Sequence, residues 1–239
     1  MSVTTIATTI ATIATIAGTP ISQTIIDSTF QVPVSAGIVC FAVEPTTQSI
    51  YVLLGKDQPW PDRPDGTWAD FGGRPSGPDE APEDTAAREF VEETLGVVEV
   101  EAAEMPVARR IADNLRHRIY FSLVKIIYRA DHHVRTYYVK EIPWNAGVVE
   151  KFAAVRTGIT TGGLAYRNHP AHEDPECHLE KTELRWWGLQ RLQSVLRNRG
   201  KWRDENFRRS FLPALRVLVR KLADGYRQLP QSKQTTCPR

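Results

Sequence analysis

The chain has 239 residues, 41% of them hydrophobic and 24% charged, with a formal net charge of +2. That is the make-up of an ordinary globular protein, one large domain with extensions or at most two small ones, and its bulk charge selects no partner. Three cysteines, Cys40, Cys177 and Cys237, are odd in number and far apart, which excludes a disulfide framework and suits a reducing compartment, cytoplasmic or nuclear.

Residues 1–29 are an Ala-Thr-Ile tract without a charge before Asp27. The tract lacks the basic start of a signal peptide and the arginines of a presequence, and threonine interrupts every apolar run. It reads as a flexible tail, with a targeting element and an edge strand as the alternatives. No longer apolar run follows, so no membrane partner is expected. Residues 35–43 and 49–57 are apolar, β-branched runs separated by a turn, as in a hairpin. Residues 58–67 hold three prolines and a glycine and read as a loop, and 68–73 as a short strand ending at Gly72-Gly73. A helix is expected over 82–95, with Pro82 in its first turn and Gly96 as its stop. Residues 118–128 and 134–143 read as a second hairpin, 144–156 as a helix, 157–178 as a long polar loop, 179–189 as strand and turn, and 189–200 as a short helix. The last element is a helix over 205–226, kinked at Pro213, with Phe207, Phe211, Leu215, Leu218 and Leu222 at helical spacing. Strands and helices without a regular βαβ period predict an α/β fold, a mixed sheet with helices packed on it. The predicted organisation is a tail over 1–29, a main domain over 30–196, a basic helical extension over 197–227 and a disordered tail over 228–239.

On a helical wheel of residues 84–95, Ala87, Phe90, Val91 and Leu95 form one face, and Glu89, Glu92 and Glu93 gather on the other. Like charges three and four residues apart cost about 0.2–0.5 kcal/mol each, and the negative end of the helix dipole adds ~0.3–1 kcal/mol. A divalent cation reverses the sign of these terms, and clustered hard oxygens suit Mg²⁺ or Mn²⁺. A merely solvated face is the competing reading.

This stretch resembles the signature of the Nudix hydrolases. Glu80 is followed by seven residues and then by Arg88-Glu89-Phe90-Val91-Glu92-Glu93. Two single-residue insertions depart from the pattern, one between Gly73 and Glu80 and one before Gly96; both lie outside the carboxylate spacing. The resemblance implies a Nudix-like α/β/α sandwich with a C-terminal helical extension. It implies metal ligation by Glu89, Glu92 and Glu93, with the Gly72 carbonyl as a fourth candidate. Glu80 and Arg88 would form a supporting ion pair beside Gly73. The activity implied is metal-dependent cleavage of a pyrophosphate linkage in a nucleoside diphosphate derivative. The general base varies in that family; the candidates here are Glu93, Glu173, Glu176, Glu180 and Glu183.

Other constellations are weaker. His169, His172, Cys177 and His178 fit no zinc spacing, and residues 157–163 lack the lysine of a phosphate loop. Trp68, Trp186 and Trp187 are expected in the core, while Trp60 and Trp144 lie near loops, where a base could stack. Residues 185–227 carry 12 Arg and Lys against three acids. A basic solvated face is the plain reading, and RNA or an acidic partner the functional one. A Nudix-fold binding module without turnover is therefore the alternative to the hydrolase. Oligomeric state is not legible.

Overall fold

The computed structural model describes residues 34–61, 64–98, 106–117, 126–130, 133–163, 179–198 and 206–225. Seven strands form one mixed sheet: β1 (Val34–Val43), β2 (Ile50–Asp57), β3 (Trp68–Ala69), β4 (Phe71–Gly73), β5 (Ile126–Ala130), β6 (His133–Glu141) and β7 (Lys181–Gly188). β1 and β2 are antiparallel where Cys40–Val43 face Ile50–Leu53, and then they diverge. The 68–73 segment fills the fork, β3 pairing with β2 and β4 with β1. β6 runs parallel to β1 on its other edge and carries β5, while β7 pairs with β2.

Strand alternation supplies both faces. Ile38, Cys40 and Leu53 point into one core, with Phe90 of α1 (Pro82–Glu93), Ile111 and Leu115 of α2 (Val107–His117) and Phe152 of α3 (Val148–Thr160). Val39, Phe41, Val52 and Leu54 point into the other, with Leu192 of α4 (Leu189–Arg197) and Leu215 and Leu218 of α5 (Leu212–Gly225). The fold is thus an α/β/α sandwich with helices on both faces, as the Nudix-like reading expected. Among the described residues no helix is long and apolar enough to cross a membrane.

Several elements differ from the sequence reading. The chain has a helix, α2, in a stretch that received no assignment. α3 begins at Val148 rather than 144, after a turn in which the Gly147 N–H donates to Asn145 Oδ1 at 2.9 Å, and it takes in residues 157–160 of the expected loop. α5 begins at Leu212, so Pro213 opens the helix instead of kinking it; its missing N–H costs nothing in the first turn. Phe207, Phe211, Leu215, Leu218 and Leu222 are all buried. The helix expected as an extension is one layer of the sandwich. The N-terminal tract, residues 164–178 and the C-terminal tail lie outside the described residues.

The layers meet at a buried charge cluster. Asp57, at the end of β2, accepts hydrogen bonds from Thr67 Oγ1 (2.7 Å), Lys181 Nζ (2.7 Å) and Arg208 (Nε 3.0 Å, Nη2 2.6 Å). A register shift between Lys56 and Asp57 against β7 turns Lys181 toward this point. Burial alone would raise the Asp57 carboxyl, but Lys181 and Arg208 outweigh it and hold it at about 2, below the ordinary 3.8. The stability drawn from ionised Asp57 is complete above pH 3.8 and is lost as pH falls through 2. Asp57→Asn is expected to lose about 3–5 kcal/mol at pH 7, because buried Lys181 and half-buried Arg208 lose their carboxylate. Urea unfolding measures this, and the gap to wild type should narrow as the pH falls below 4; equal stability at pH 7 would refute the assignment.

Candidate functional site

The fork between β1 and β2 delivers Gly72-Gly73 to the side of α1. A Cβ on Gly73 would lie 2.2 Å from a carboxylate oxygen of Glu89, so any side chain there would displace that carboxylate. The loop from Arg74 to Glu80 then folds back onto the helix. Glu80 accepts from the Ser76 N–H (2.7 Å) and Thr85 Oγ1 (3.0 Å), which fixes the loop.

Arg88 organises the carboxylates. Its Nε donates to Glu80 Oε1 at 3.0 Å, and its Nη1 lies 3.0 Å from Glu89 Oε1 and 2.9 Å from Glu92 Oε2. Its Nη2 donates to the Arg74 carbonyl at 2.9 Å. The Glu80–Arg88 pair expected from sequence is therefore formed. The same guanidinium also relieves the Glu89–Glu92 repulsion, a role the helical wheel did not reveal. Burial would raise the Glu80 carboxyl, but Arg88, Ser76 and Thr85 outweigh it and the group sits low. Glu89 goes the other way. Its burial dominates, Glu92 and Glu180 add to it, and Arg88 offsets only part, so its carboxyl is raised.

The three signature glutamates are not one solvated face. Glu89 and Glu92 are half-buried, with side chains 12% and 24% exposed. Glu93 is buried at the edge of the apolar face. Its Oε2 accepts from the Gly72 N–H at 2.6 Å, and its Oε1 lies 3.0 Å from Lys181 Nζ. Burial pushes its carboxyl up to about 8, with Lys181 and Arg208 offsetting part of the rise. The Gly72 carbonyl accepts from Arg135 Nη2 at 2.8 Å, and the same Nη2 donates to buried Asp70 at 2.8 Å.

The general-base candidates separate. Glu180 is exposed, close enough to Glu89 to raise its carboxyl, and its carbonyl accepts from the Gln58 N–H at 2.8 Å. Glu183 does not join α1. It pairs with Arg185 at 2.8 Å, and that guanidinium lies 4.6 Å from the Trp68 ring centre, over the second core. Glu173 and Glu176 lie outside the described residues, as do His169, His172, Cys177 and His178. Trp144 packs against Tyr51 (ring centres 4.6 Å apart) and Trp186 (4.9 Å), whereas Trp60 is 63% exposed. Arg209, Arg216 and Arg220 are exposed on and beside α5, across the sheet from α1, while Arg208 is bound to Asp57.

Asp57, Asp70, Arg135, Lys181 and Arg208 were missed as members of this neighbourhood. Among the described residues no three His, Cys, Asp or Glu side chains converge as a metal-binding group. A divalent cation fits part of the expected set. Glu89 and Glu92 each turn one oxygen to Arg88 and keep one hard donor, whereas Glu93 and the Gly72 carbonyl are engaged by protein cations.

Arg88→Gln is expected to lose about 1–3 kcal/mol, since it strips three carboxylates of their charged donor. Glu89→Gln should melt higher than wild type at pH 7 in EDTA. The raised carboxyl of Glu89 contributes stability that is full below its unfolded value of 4.5 and is lost as pH rises through the folded value, and glutamine never pays that loss. The two melting curves should converge below pH 4.5; a lower melting point for Glu89→Gln would contradict the burial effect.

No protein-family model matches this chain, and no curated protein matches it. Among solved structures it is similar to an Ap4A hydrolase of C. elegans in a binary complex, at 16% identity over 81% of this chain and 99% of that one, TM-score 0.41. It is similar to the Nudix domain of Shewanella oneidensis NrtR complexed with ADP ribose, at 14% identity over 80% and 88%, TM-score 0.42. It is also similar to a mutT/nudix family protein from Listeria innocua, at 12% identity over 82% and 98%, TM-score 0.45. The latter two carry the Nudix name that the signature residues suggest. At such identities and TM-scores the likeness carries no chemistry, and the Nudix resemblance rests on Glu80, Arg88, Glu89, Glu92 and Glu93 and on the fold around them.

Proposed function

We propose that this protein is a Mg²⁺- or Mn²⁺-dependent pyrophosphohydrolase acting on a nucleoside diphosphate derivative: a nucleotide, a nucleotide sugar or capped RNA. The observation that supports it most is the Arg88 clamp, which gathers Glu80, Glu89 and Glu92 beside the Gly72-Gly73 bend at the signature spacing. Glu89 and Glu92 would hold the cation through the oxygens that Arg88 leaves. When bound, the cation neutralises pyrophosphate oxygens and lowers the pKa of water. The residues of the chain position and deprotonate. Glu80 fixes the loop through Arg88, Ser76 and Thr85, and Glu180, exposed and near enough to Glu89 to raise its carboxyl, would take a proton from the attacking water. A cytoplasmic or nuclear setting accompanies this reading.

A second reading, a binding module without turnover, draws on the engagement of Glu93 by Lys181 and of the Gly72 carbonyl by Arg135. It would use exposed Arg209, Arg216 and Arg220 to meet RNA or an acidic partner, and such binding would weaken steeply with salt.

Metal-dependent formation of the nucleoside phosphate product from a panel of dinucleotides, sugar nucleotides and capped RNA, read by chromatography, decides between the two. Glu92→Gln is expected to lower kcat by about a hundredfold or more, with little change in stability. Turnover within a few-fold of wild type in that variant, or no turnover by wild type on any of the panel, would remove the hydrolase reading.

A further inference from the structure

Two protein cations reach the Gly72–Glu93 end of the site from inside the fold. Lys181 is fully buried. Its ammonium lies 3.0 Å from Glu93 Oε1 and 2.7 Å from Asp57 Oδ1. Its stem occupies room that only a glycine leaves, since a Cβ on Gly55 would lie 2.8 Å from Lys181 Cδ. Arg135, its side chain 12% exposed, holds the Gly72 carbonyl and Asp70 at 2.8 Å each, and its guanidinium carbon sits 5.3 Å from the Tyr137 ring centre. The carboxylates of this interior are Asp57, Asp70 and Glu93, and the cations bound to them are Lys181, Arg135 and Arg208.

A divalent cation on Glu93 would have to share an oxygen with the Lys181 ammonium. Lys181 is held there, its stem packed where Gly55 has no side chain and its head tied to Asp57. A cation on the Gly72 carbonyl would likewise meet the Arg135 guanidinium. We propose that Lys181 and Arg135 are internal counter-ions that occupy the Gly72–Glu93 end of the cluster in place of a metal. This chain then binds its divalent cation through Glu89 and Glu92 and not through Glu93 or the Gly72 carbonyl. Glu93 becomes a positioning residue, which fixes the Gly72 N–H and the end of α1. The inference rests on the hydrolase reading only in its use of Glu89 and Glu92.

The test is Mn²⁺ binding to the full chain, followed by the electron-spin-resonance signal of free Mn²⁺ without substrate. Glu92→Gln should weaken binding by about tenfold or more, and Glu93→Gln should change it by less than about twofold. Lys181→Met should gain a further Mn²⁺ that the Lys181→Met/Glu93→Gln double variant lacks. Lys181→Gln, which keeps most of the stem and a donor for Asp57, replaces Lys181→Met if the latter does not fold. Equal weakening by Glu93→Gln and Glu92→Gln overturns the proposal, as does a folded Lys181 variant that gains no Mn²⁺. A wild type that binds no Mn²⁺ removes the metal reading of Glu89 and Glu92. The gain in the Lys181 variant then decides the role of Lys181 alone, for or against.

Discussion

Asp57 joins parts of the chain that lie far apart in sequence. Its carboxylate receives Thr67 from the loop before β3, Lys181 from β7 and Arg208 from the turn before α5, and through Lys181 it touches Glu93 at the end of α1. A buried charge is tolerated only when paired and hydrogen-bonded. Each partner comes from a different element, so the pairing fixes how those elements sit. The turn that carries Arg208 is itself laced to the sheet. Trp68 donates its N–H to the Asn206 carbonyl at 2.9 Å, and the Arg208 N–H donates to the Trp68 carbonyl at 3.0 Å. The register shift in β7 is what lets a lysine on a strand edge reach the signature helix.

The carboxylates on α1 are handled in two ways, and the division has a chemical meaning. Glu93 is withdrawn from solvent and matched by Lys181. Glu89 and Glu92 stay half-buried under one shared guanidinium. Arg88 is well suited to that task, because its planar fork can serve several acids at once where a lysine could not. The outcome is a pair of glutamates held close together yet incompletely neutralised, with the exposed acid Glu180 within electrostatic reach of Glu89.

Much of this was legible beforehand, for stated reasons. β1, β2, β7 and α1 were found because alternation, prolines and glycines mark them in short windows. The Glu80–Arg88 pair was found through the motif. The partners of Asp57 were not, because Lys181 and Arg208 lie 124 and 151 residues from it and only the topology brings them together. Glu93 was misplaced because a wheel divides faces by angle alone. It sits at the boundary, and a lysine from β7 supplies the charge that allows it inside. Arg208 looked like one more member of a basic run. No property of the residue itself tells a surface arginine from one bound to an aspartate in another layer. α2 is legible too, since Val107, Ile111 and Leu115 recur four residues apart.

The place of α5 sets an order on the birth of the protein. Synthesis runs from the N-terminus, so β1, β2 and the signature helix emerge long before Arg208 and Phe211. Until those residues arrive, Val39, Phe41, Val52 and Leu54 have only α4 over their face of the sheet, and the pair of Asp57 and Lys181 lacks its second cation. The nascent chain thus holds its candidate chemistry ready-spaced in α1 but cannot close the second core until α5 is made. A ribosome that stalls after β7 would release a sheet with one face open to other chains.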